Sequence, residues 1–247
     1  MRRSAAESSA KLARRFVSKP PATASPVINT SAKSVSNTNF VTPSFKTAAV
    51  QRSKPVINEA VEYLGQARNV NELERILEKV HPNQPQIALV ARSNAGKSSL
   101  VNSLLGTKLA IVSKVPGRTR LAHAYQAHGF ILIDLPGYGY AQDADSKEAT
   151  AMSDVVADIA LERGETNLVL QLIDARRGGF LESDAQMDKA LKGFKVPHEQ
   201  VFTKIDSLNV QQDEAIRKAF PTAFFVSSRK NWGILELKKY LQRLGKR

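Results

Sequence analysis

Residues 91–98 combine the side chains and the glycine that a loop needs to hold a phosphate chain. Gly96 lets backbone N–H groups approach the phosphates, the Lys97 ammonium can reach the β- and γ-phosphates, and the Ser98 hydroxyl can ligate Mg²⁺. Ala91 stands where such loops usually begin with glycine, a change that a strand end with negative φ accommodates. The predicted phosphate-binding loop comprises Ala91, Arg92, Ser93, Asn94, Ala95, Gly96, Lys97, Ser98 and Ser99.

A second pattern, Asp134-Leu135-Pro136-Gly137, directly follows a short apolar run. An aspartate there can hold a Mg²⁺-bound water, and the Gly137 N–H can reach a γ-phosphate whose loss would release the loop. Taken alone, this pattern is more typical of a simple turn. In the loop upstream, Thr119 can close over Mg²⁺ when a γ-phosphate is present. The predicted residues of that upstream loop are Gly117, Arg118, Thr119 and Arg120.

A third pattern, Thr-Lys-Ile-Asp at residues 203–206, indicates selection of one purine base. The Asp206 carboxylate can accept hydrogen bonds from guanine N1–H and the 2-amino group, a donor pair that adenine lacks. The aliphatic stem of Lys204 can lie along the base, and a backbone N–H after the last strand can bind guanine O6. The predicted base site comprises Thr203, Lys204, Asp206, Val226, Ser227 and Ser228.

Strands and helices are predicted to alternate from Gln86 to the C-terminus, which indicates an α/β fold. The apolar runs predict a six-stranded, mostly parallel sheet with one antiparallel edge strand and helices on both faces. Each of the three strand-end patterns would then lie at the carboxyl edge of the sheet, where such folds bind ligands.

Residues 56–82 are predicted to be a helical lead-in without chemistry, and residues 83–247 the nucleotide-binding domain. Apolar residues between 56 and 64 recur at helical spacing, and Asn71 is the predicted N-cap of a second helix that ends at Val80. Ser183 is the predicted N-cap of a later helix.

Charge is concentrated at the N-terminus. Residues 1–58 hold ten Lys or Arg and one acid, Glu7, and so carry +9 of the net +13. Residues 1–55 are a basic Ser/Thr/Pro-rich extension that is predicted not to fold alone. Its amphipathic, Arg- and Ser-rich start is typical of a transit peptide, which predicts the mitochondrial matrix, with the plastid as runner-up. The alternative is a basic tail that contacts nucleic acid.

The composition excludes several classes of protein. The chain has no cysteine, which excludes disulfides, thiol catalysis and Cys-ligated metals. It also has no apolar run long enough for a transmembrane helix, so stable membrane insertion is not expected.

Five segments resemble, in order, the EngB (YihA) family of translation-factor-type P-loop GTPases. They are residues 91–98, 116–120, 134–141, 203–206 and 226–228, of which Asp-Leu-Pro-Gly-Tyr-Gly-Tyr-Ala at 134–141 is the most specific. The resemblance runs from about residue 86 to the C-terminus. It implies a Ras-like sheet, GTP and GDP binding, hydrolysis with Mg²⁺, and a role in assembly of the large ribosomal subunit. With the basic extension, it implies an organellar member that acts on mitochondrial ribosomes.

The resemblance also implies roles for individual residues. Mg²⁺ would be held by Ser98, Thr119 and, through water, Asp134. Catalysis would rest on Asn94, Lys97, Thr119 and Gly137.

Two positions bear on the rate of hydrolysis. Tyr138 stands where Ras-like enzymes have a water-positioning glutamine, so slow intrinsic turnover is expected. Asn94 matches the asparagine that holds K⁺ in potassium-stimulated relatives, and a cation there would stabilise the transition state. The implied partners are large-subunit rRNA, ribosomal proteins and other assembly factors, and the free protein is expected to be a monomer.

Two other functions compete with a GTPase switch. One is a structural assembly factor that binds the pre-ribosome without hydrolysing GTP, with guanine nucleotide as no more than a structural ligand. Ala91 and Tyr138 keep that alternative open. The other is an ATP-dependent kinase, which Asp206 disfavours because it selects guanine.

Overall fold

The computed structural model describes residues 61–80, 84–110, 121–138, 156–162 and 166–244. Seven strands form one sheet in the order β1-β3-β4-β2-β5-β6-β7. Strands β4, β2, β5, β6 and β7 pair in parallel, whereas β3 runs antiparallel to both β4 and β1. The strands are β1 (Glu62–Ala67), β2 (Gln86–Ala91), β3 (Ala122–Ala127), β4 (Phe130–Asp134), β5 (Leu168–Asp174), β6 (His198–Thr203) and β7 (Phe224–Phe225).

Helices cover both faces of the sheet. The central strands are apolar at consecutive positions because both of their faces are buried. Ala88 and Val90 pack on one face with α1 and α3, and Ile87 and Leu89 pack on the other with α2 and α5. The helices are α1 (Val70–Leu77), α2 (Lys97–Leu105), α3 (Glu182–Gly193), α4 (Val210–Ala219) and α5 (Ile234–Leu244). None of the described helices is both long and apolar enough to cross a bilayer.

The expectation of six strands was wrong, because part of the predicted helical lead-in is the edge strand β1. Its Tyr63 ring packs on Tyr125 of β3 with 5.3 Å between the centroids. Gly65 lies in a bulge of this pairing at φ +146°, a conformation that glycine adopts easily and that disfavours a helix. Pairing with β3 therefore overrides the helical spacing, and the sheet begins well before residue 83.

Both predicted N-caps were wrong by two residues, because the helices begin after Asn69 and Leu181. Asn69, with extended backbone, accepts a hydrogen bond from the Glu72 N–H at 2.9 Å, so Asn71 lies inside α1. At α3 the Asp184 carboxylate accepts the Leu181 N–H at 3.1 Å, and Ser183 lies inside the helix.

Several predicted segments lie partly or wholly outside the described residues. These are the extension 1–55, the start of the lead-in, the loop 111–120 and residues 139–155. Residues 156–157 are α-helical and continue into a π-helical turn, Asp158–Glu162.

The turn before α5 depends on a glycine. Gly233 has φ +67°, and a Cβ there would collide with the carbonyl oxygen of Phe225 in β7. Gly106, which ends α2 at φ +74°, has open space around the same position.

We expect Gly233→Ala to lower the free energy of unfolding by at least about 2 kcal/mol, because it adds a collision to the left-handed backbone strain. Gly106→Ala adds only the left-handed backbone strain and should lower the free energy of unfolding by about 1 kcal/mol. Urea unfolding of the two variants measures the difference. Equal losses would show that the collision relaxes without cost.

Candidate functional site

The loop between β2 and α2 has the shape of a phosphate cradle. Asn94 and Gly96 both adopt left-handed backbone conformations, with φ +67° and +91°. Gly96 is the N-cap of α2, which begins at Lys97 and has no side-chain cap. The first N–H groups of α2 therefore carry the helix's partial positive charge towards the loop, as an anion site requires.

Opposite charges meet at the carboxyl ends of β2 and β4. The Lys97 ammonium donates a hydrogen bond to Asp134 Oδ1, and the two residues are 9% and 2% exposed. Asp134 ends β4 in register with Leu89 of β2, so neighbouring parallel strands deliver both groups to one point. This is the residue pair expected to act on phosphate and on Mg²⁺-bound water.

The segment after β4 continues alongside the phosphate loop. Tyr138 donates its N–H to Ala91 O at 2.9 Å, and Ser93 donates its N–H to Tyr138 O at 3.3 Å. Gly137 is so close to the loop that a Cβ would lie 3.2 Å from Ser93 N. A side chain here would press on the loop backbone, and residues 134–137 lie against the loop that they are expected to assist.

The base-site residues form a linked set at the ends of β6 and β7. Ser227 is buried, and its hydroxyl donates to Asp206 Oδ1 at 2.7 Å. The same hydroxyl accepts the Lys230 N–H at 3.1 Å. Asp206 is therefore held in one orientation, with its other carboxylate oxygen left for a donor from a base.

Lys204 and Thr203 join the base site to the phosphate loop. The Lys204 ammonium donates to Asn94 O and, at 2.9 Å, to Asp174 Oδ2. The Thr203 hydroxyl lies 2.6 Å from Ala95 O, to which it donates. Residues 91–98 and 203–206 are therefore fixed relative to each other by side chains that cross the loop.

Asp174 is a site residue that the sequence patterns did not single out. Partial burial acts to raise the pKa of its carboxyl, but hydrogen bonds and charges from Arg176 and Lys204 outweigh burial and lower the pKa to about 2. Asp174 therefore stays ionised near neutral pH and holds Lys204 across the phosphate loop. Its position at the carboxyl end of β5 was the feature of the sequence that could have identified it as a site residue.

A buried polar cluster behind the phosphate loop was also missed. The Tyr138 hydroxyl donates to Asp184 Oδ1 at 3.0 Å, and Gln171 Nε2 donates to Asp184 O at 2.7 Å. Burial raises the pKa of the Tyr138 hydroxyl and that of the Asp184 carboxyl. Gln171, a polar residue inside the apolar strand β5, was the one sequence signal for this cluster.

A cavity of about 70 Å³ lies beside the phosphate loop, bordered by Asn94, Asp174, Arg177 and Asp184. Arg92 also borders the cavity; its Nε is buried and has no hydrogen-bond partner in the described part of the chain. The space has room for several water molecules, which can hydrate these charges.

The upstream loop with Gly117, Arg118, Thr119 and Arg120 lies outside the described residues, so its predicted contacts remain predictions. Among the described residues, no three or more His, Cys, Asp or Glu side chains cluster as a metal site. The donors present fit Mg²⁺ nonetheless, because that ion is usually held by one or two protein oxygens, water and substrate phosphates. Ser98 and Asp134 are such oxygen donors.

We expect Tyr138→Phe to lower the free energy of unfolding by about 1–3 kcal/mol, because it leaves a buried carboxylate oxygen of Asp184 unpaired. Tyr240→Phe is the matched control. It also removes a tyrosine–carboxylate hydrogen bond, to Glu199 at 2.8 Å, but in a more solvent-accessible place. Urea unfolding should show the larger loss for Tyr138→Phe, and an equal or smaller loss would contradict the buried hydrogen bond.

Comparison with known proteins places this site in one family. The family model described as "50S ribosome-binding GTPase" matches residues 86–204. The "Probable GTP-binding protein EngB" of Mycoplasmopsis synoviae is 38% identical over 143 residues, which cover 58% of this chain and 75% of that protein.

Solved structures agree on the fold. An Era structure with MgGDPNP and nucleotides of 16S ribosomal RNA has a TM-score of 0.53 at 28% identity over 65% of this chain and 56% of that one. A probable GTP-binding protein engB has a TM-score of 0.50 at 22% identity, covering 65% of this chain and 98% of its own. With its Ras-like sheet, phosphate loop and guanine motif, the chain belongs to the EngB family of P-loop GTPases.

Proposed function

We propose that this GTPase is a molecular switch in the assembly of the large ribosomal subunit of mitochondria. The observation that carries the proposal is the direct linkage of the phosphate and base sites through Lys204, which fits a single guanine nucleotide along the carboxyl edge of the sheet. The description "50S ribosome-binding GTPase" of the matching family and the ribosomal RNA in the Era structure support a ribosomal partner.

In this proposal, GTP binding exchanges one set of contacts for another. Lys97 would turn from Asp134 to the β- and γ-phosphates, and the Asp134 carboxylate would then be available to hold a water of the metal ion. Bound Mg²⁺ would be held by Ser98 and Thr119 and would neutralise charge on the phosphates. Gly137 lies against the phosphate loop, and its N–H would donate to the γ-phosphate.

Slow intrinsic turnover is part of the proposal. Tyr138 occupies the position of the water-orienting glutamine, and its hydroxyl is buried and bonded to Asp184. It therefore cannot turn towards the attacking water without breaking that bond. An additional group would have to complete the transition state.

We further propose that a monovalent cation beside Asn94 is this group. The Asn94 side chain is exposed on the phosphate loop, and the hydrogen bond that Asn94 accepts from Lys204 uses its backbone carbonyl oxygen. GTP turnover in the presence of ribosomal particles should be faster in K⁺ than in Na⁺, and Asn94→Ala should abolish the difference. Equal rates of the unchanged protein in the two salts would contradict a cation role.

The basic extension, residues 1–55, is proposed to direct the protein to the mitochondrial matrix, with the plastid as the competing destination. If it is retained, its cations add salt-dependent affinity for RNA phosphates. The proposed partners are large-subunit rRNA, ribosomal proteins and other assembly factors.

The decisive experiment is sedimentation of the tagged full chain in organelle lysate with GDP or a non-hydrolysable GTP analogue. We expect enrichment on large-subunit precursors with the analogue alone. Lys97→Ala should lose that enrichment, because it removes the phosphate-binding ammonium. Lys192→Ala should keep it, because it removes an exposed lysine that pairs with Asp188 on α3.

Two outcomes would change the conclusion. Equal association with GDP and the analogue would favour the structural assembly factor that does not use hydrolysis. Absence from ribosomal particles in both states would contradict the ribosomal role and leave a GTPase with another target.

A further inference from the structure

An exposed aromatic side chain lies just beyond the base site. Trp232, the chain's single tryptophan, is 53% exposed, and Leu235 one turn later is 57% exposed. Among the described residues, the other aromatic residue with high exposure is Tyr63, which packs on Tyr125 and shares a hydrogen bond with His123 Nδ1. Trp232 has no such partner within the described part of the chain. The nucleotide site uses neither Trp232 nor Leu235.

The backbone that carries Trp232 is held tightly. The Ser227 N–H donates to Trp232 O at 3.0 Å, and the Leu237 N–H donates to Gly233 O at 3.1 Å. Gly233 itself fits against Phe225 only because it lacks a side chain. The indole is therefore presented on a fixed turn, which lowers the conformational entropy lost when a ligand binds to it.

The surface around Trp232 is basic. Residues 228–244 contain five Lys or Arg and one acid, Glu236. Arg229 and Lys230 are exposed in the same turn as Trp232. Lys239 and Arg243 follow Leu235 at i+4 and i+8 of α5 and so extend its face. A partner that covers this surface must bring negative charge.

We propose that Trp232 is a stacking platform for an unpaired base of single-stranded RNA, with Arg229, Lys230 and Lys239 contacting the neighbouring phosphates. Single-stranded RNA offers the matching chemistry, because each base has a flat face and each nucleotide a negative charge. A duplex would offer the charges but hide the base faces. The proposal names a contact for the RNA partner and in that sense rests on the proposed function.

The position of this surface predicts how it responds to nucleotide. Ser227 bonds both to the turn of Trp232 and to Asp206, so the platform adjoins the base end of the nucleotide site. GDP and GTP are identical at that end. RNA binding to Trp232 should therefore be the same in both nucleotide states, unlike docking controlled by the γ-phosphate.

The single tryptophan makes the test direct. The full chain is titrated with oligouridine, with oligoadenosine and with their duplex, while tryptophan fluorescence and the anisotropy of labelled RNA are recorded. We expect saturable quenching of Trp232 by both single strands and little by the duplex. Anisotropy without quenching would mean that RNA binds only elsewhere, for example on the basic extension, and would overturn the proposal.

Variants separate stacking from general charge attraction. Trp232→Ala should weaken single-strand binding by about fivefold or more, and Trp232→Phe should retain most of it. Arg229→Gln with Lys230→Gln should weaken binding and reduce its salt dependence. Tyr63→Ala, on the opposite edge of the sheet, is the matched aromatic control and should leave the affinity for single-stranded RNA unchanged. Unchanged affinity of Trp232→Ala would overturn the proposal.

Failure here is distinct from failure of the proposed function. Nucleotide affinity is measured on the same samples. Loss of quenching with intact GTP binding overturns the stacking surface alone. Quenching by purified ribosomal proteins but not by RNA would also overturn it, in favour of a protein interface.

Discussion

The buried pair of Lys97 and Asp134 is the constraint on which the site depends. An ammonium and a carboxylate that are nearly removed from water must be paired, because an isolated buried charge is strongly destabilising. Parallel strands β2 and β4 bring the two groups together at one edge of the sheet. A bound nucleotide and its metal ion would present a negative and a positive partner at that same edge, so binding could replace the internal pair without leaving either charge alone.

The remaining contacts keep this charged centre in register with the base site. Lys204 crosses the phosphate loop to Asp174, and Ser227 fixes Asp206. Lys97 and Lys204 thus each pair with an aspartate at a strand end, but the Lys204 pair is more exposed to solvent than the Lys97 pair. Asp174 is partly accessible and remains ionised because two cations hold it. The phosphate and base ends are therefore rigidly spaced before any ligand arrives, which reduces the ordering that binding must impose.

Much of this arrangement was predictable, because a motif that directly follows a parallel strand must lie at the carboxyl edge of the sheet. The structure describes four of the predicted site segments, and all four meet at the carboxyl edge of the sheet. They are the segments around Lys97, Asp134, Asp206 and Ser227. The errors arose where contacts distant in sequence decide the outcome. The apolar spacing around β1 predicts a helix, but the segment pairs with β3, about sixty residues later in the chain. In the sequence, Asp184 looks like an ordinary acidic residue in the first turn of a helix. Its partner Tyr138 lies 46 residues earlier, so the hydrogen bond between them is visible only in the structure.

Tyr138 connects that missed cluster to the chemistry. Its backbone pairs with Ala91 and Ser93, while its hydroxyl reaches Asp184 in α3. A residue held at both ends can place Gly137 accurately but cannot swing to orient water. Positioning of the phosphate and activation of the nucleophile are thereby separated, whereas in Ras-like enzymes with glutamine they share one mobile segment. In the proposed switch, the cradle is formed before GTP binds, and a group other than Tyr138 has to complete the transition state. Hydrolysis would then be coupled to the arrival of that group, which is the property that a switch in assembly requires.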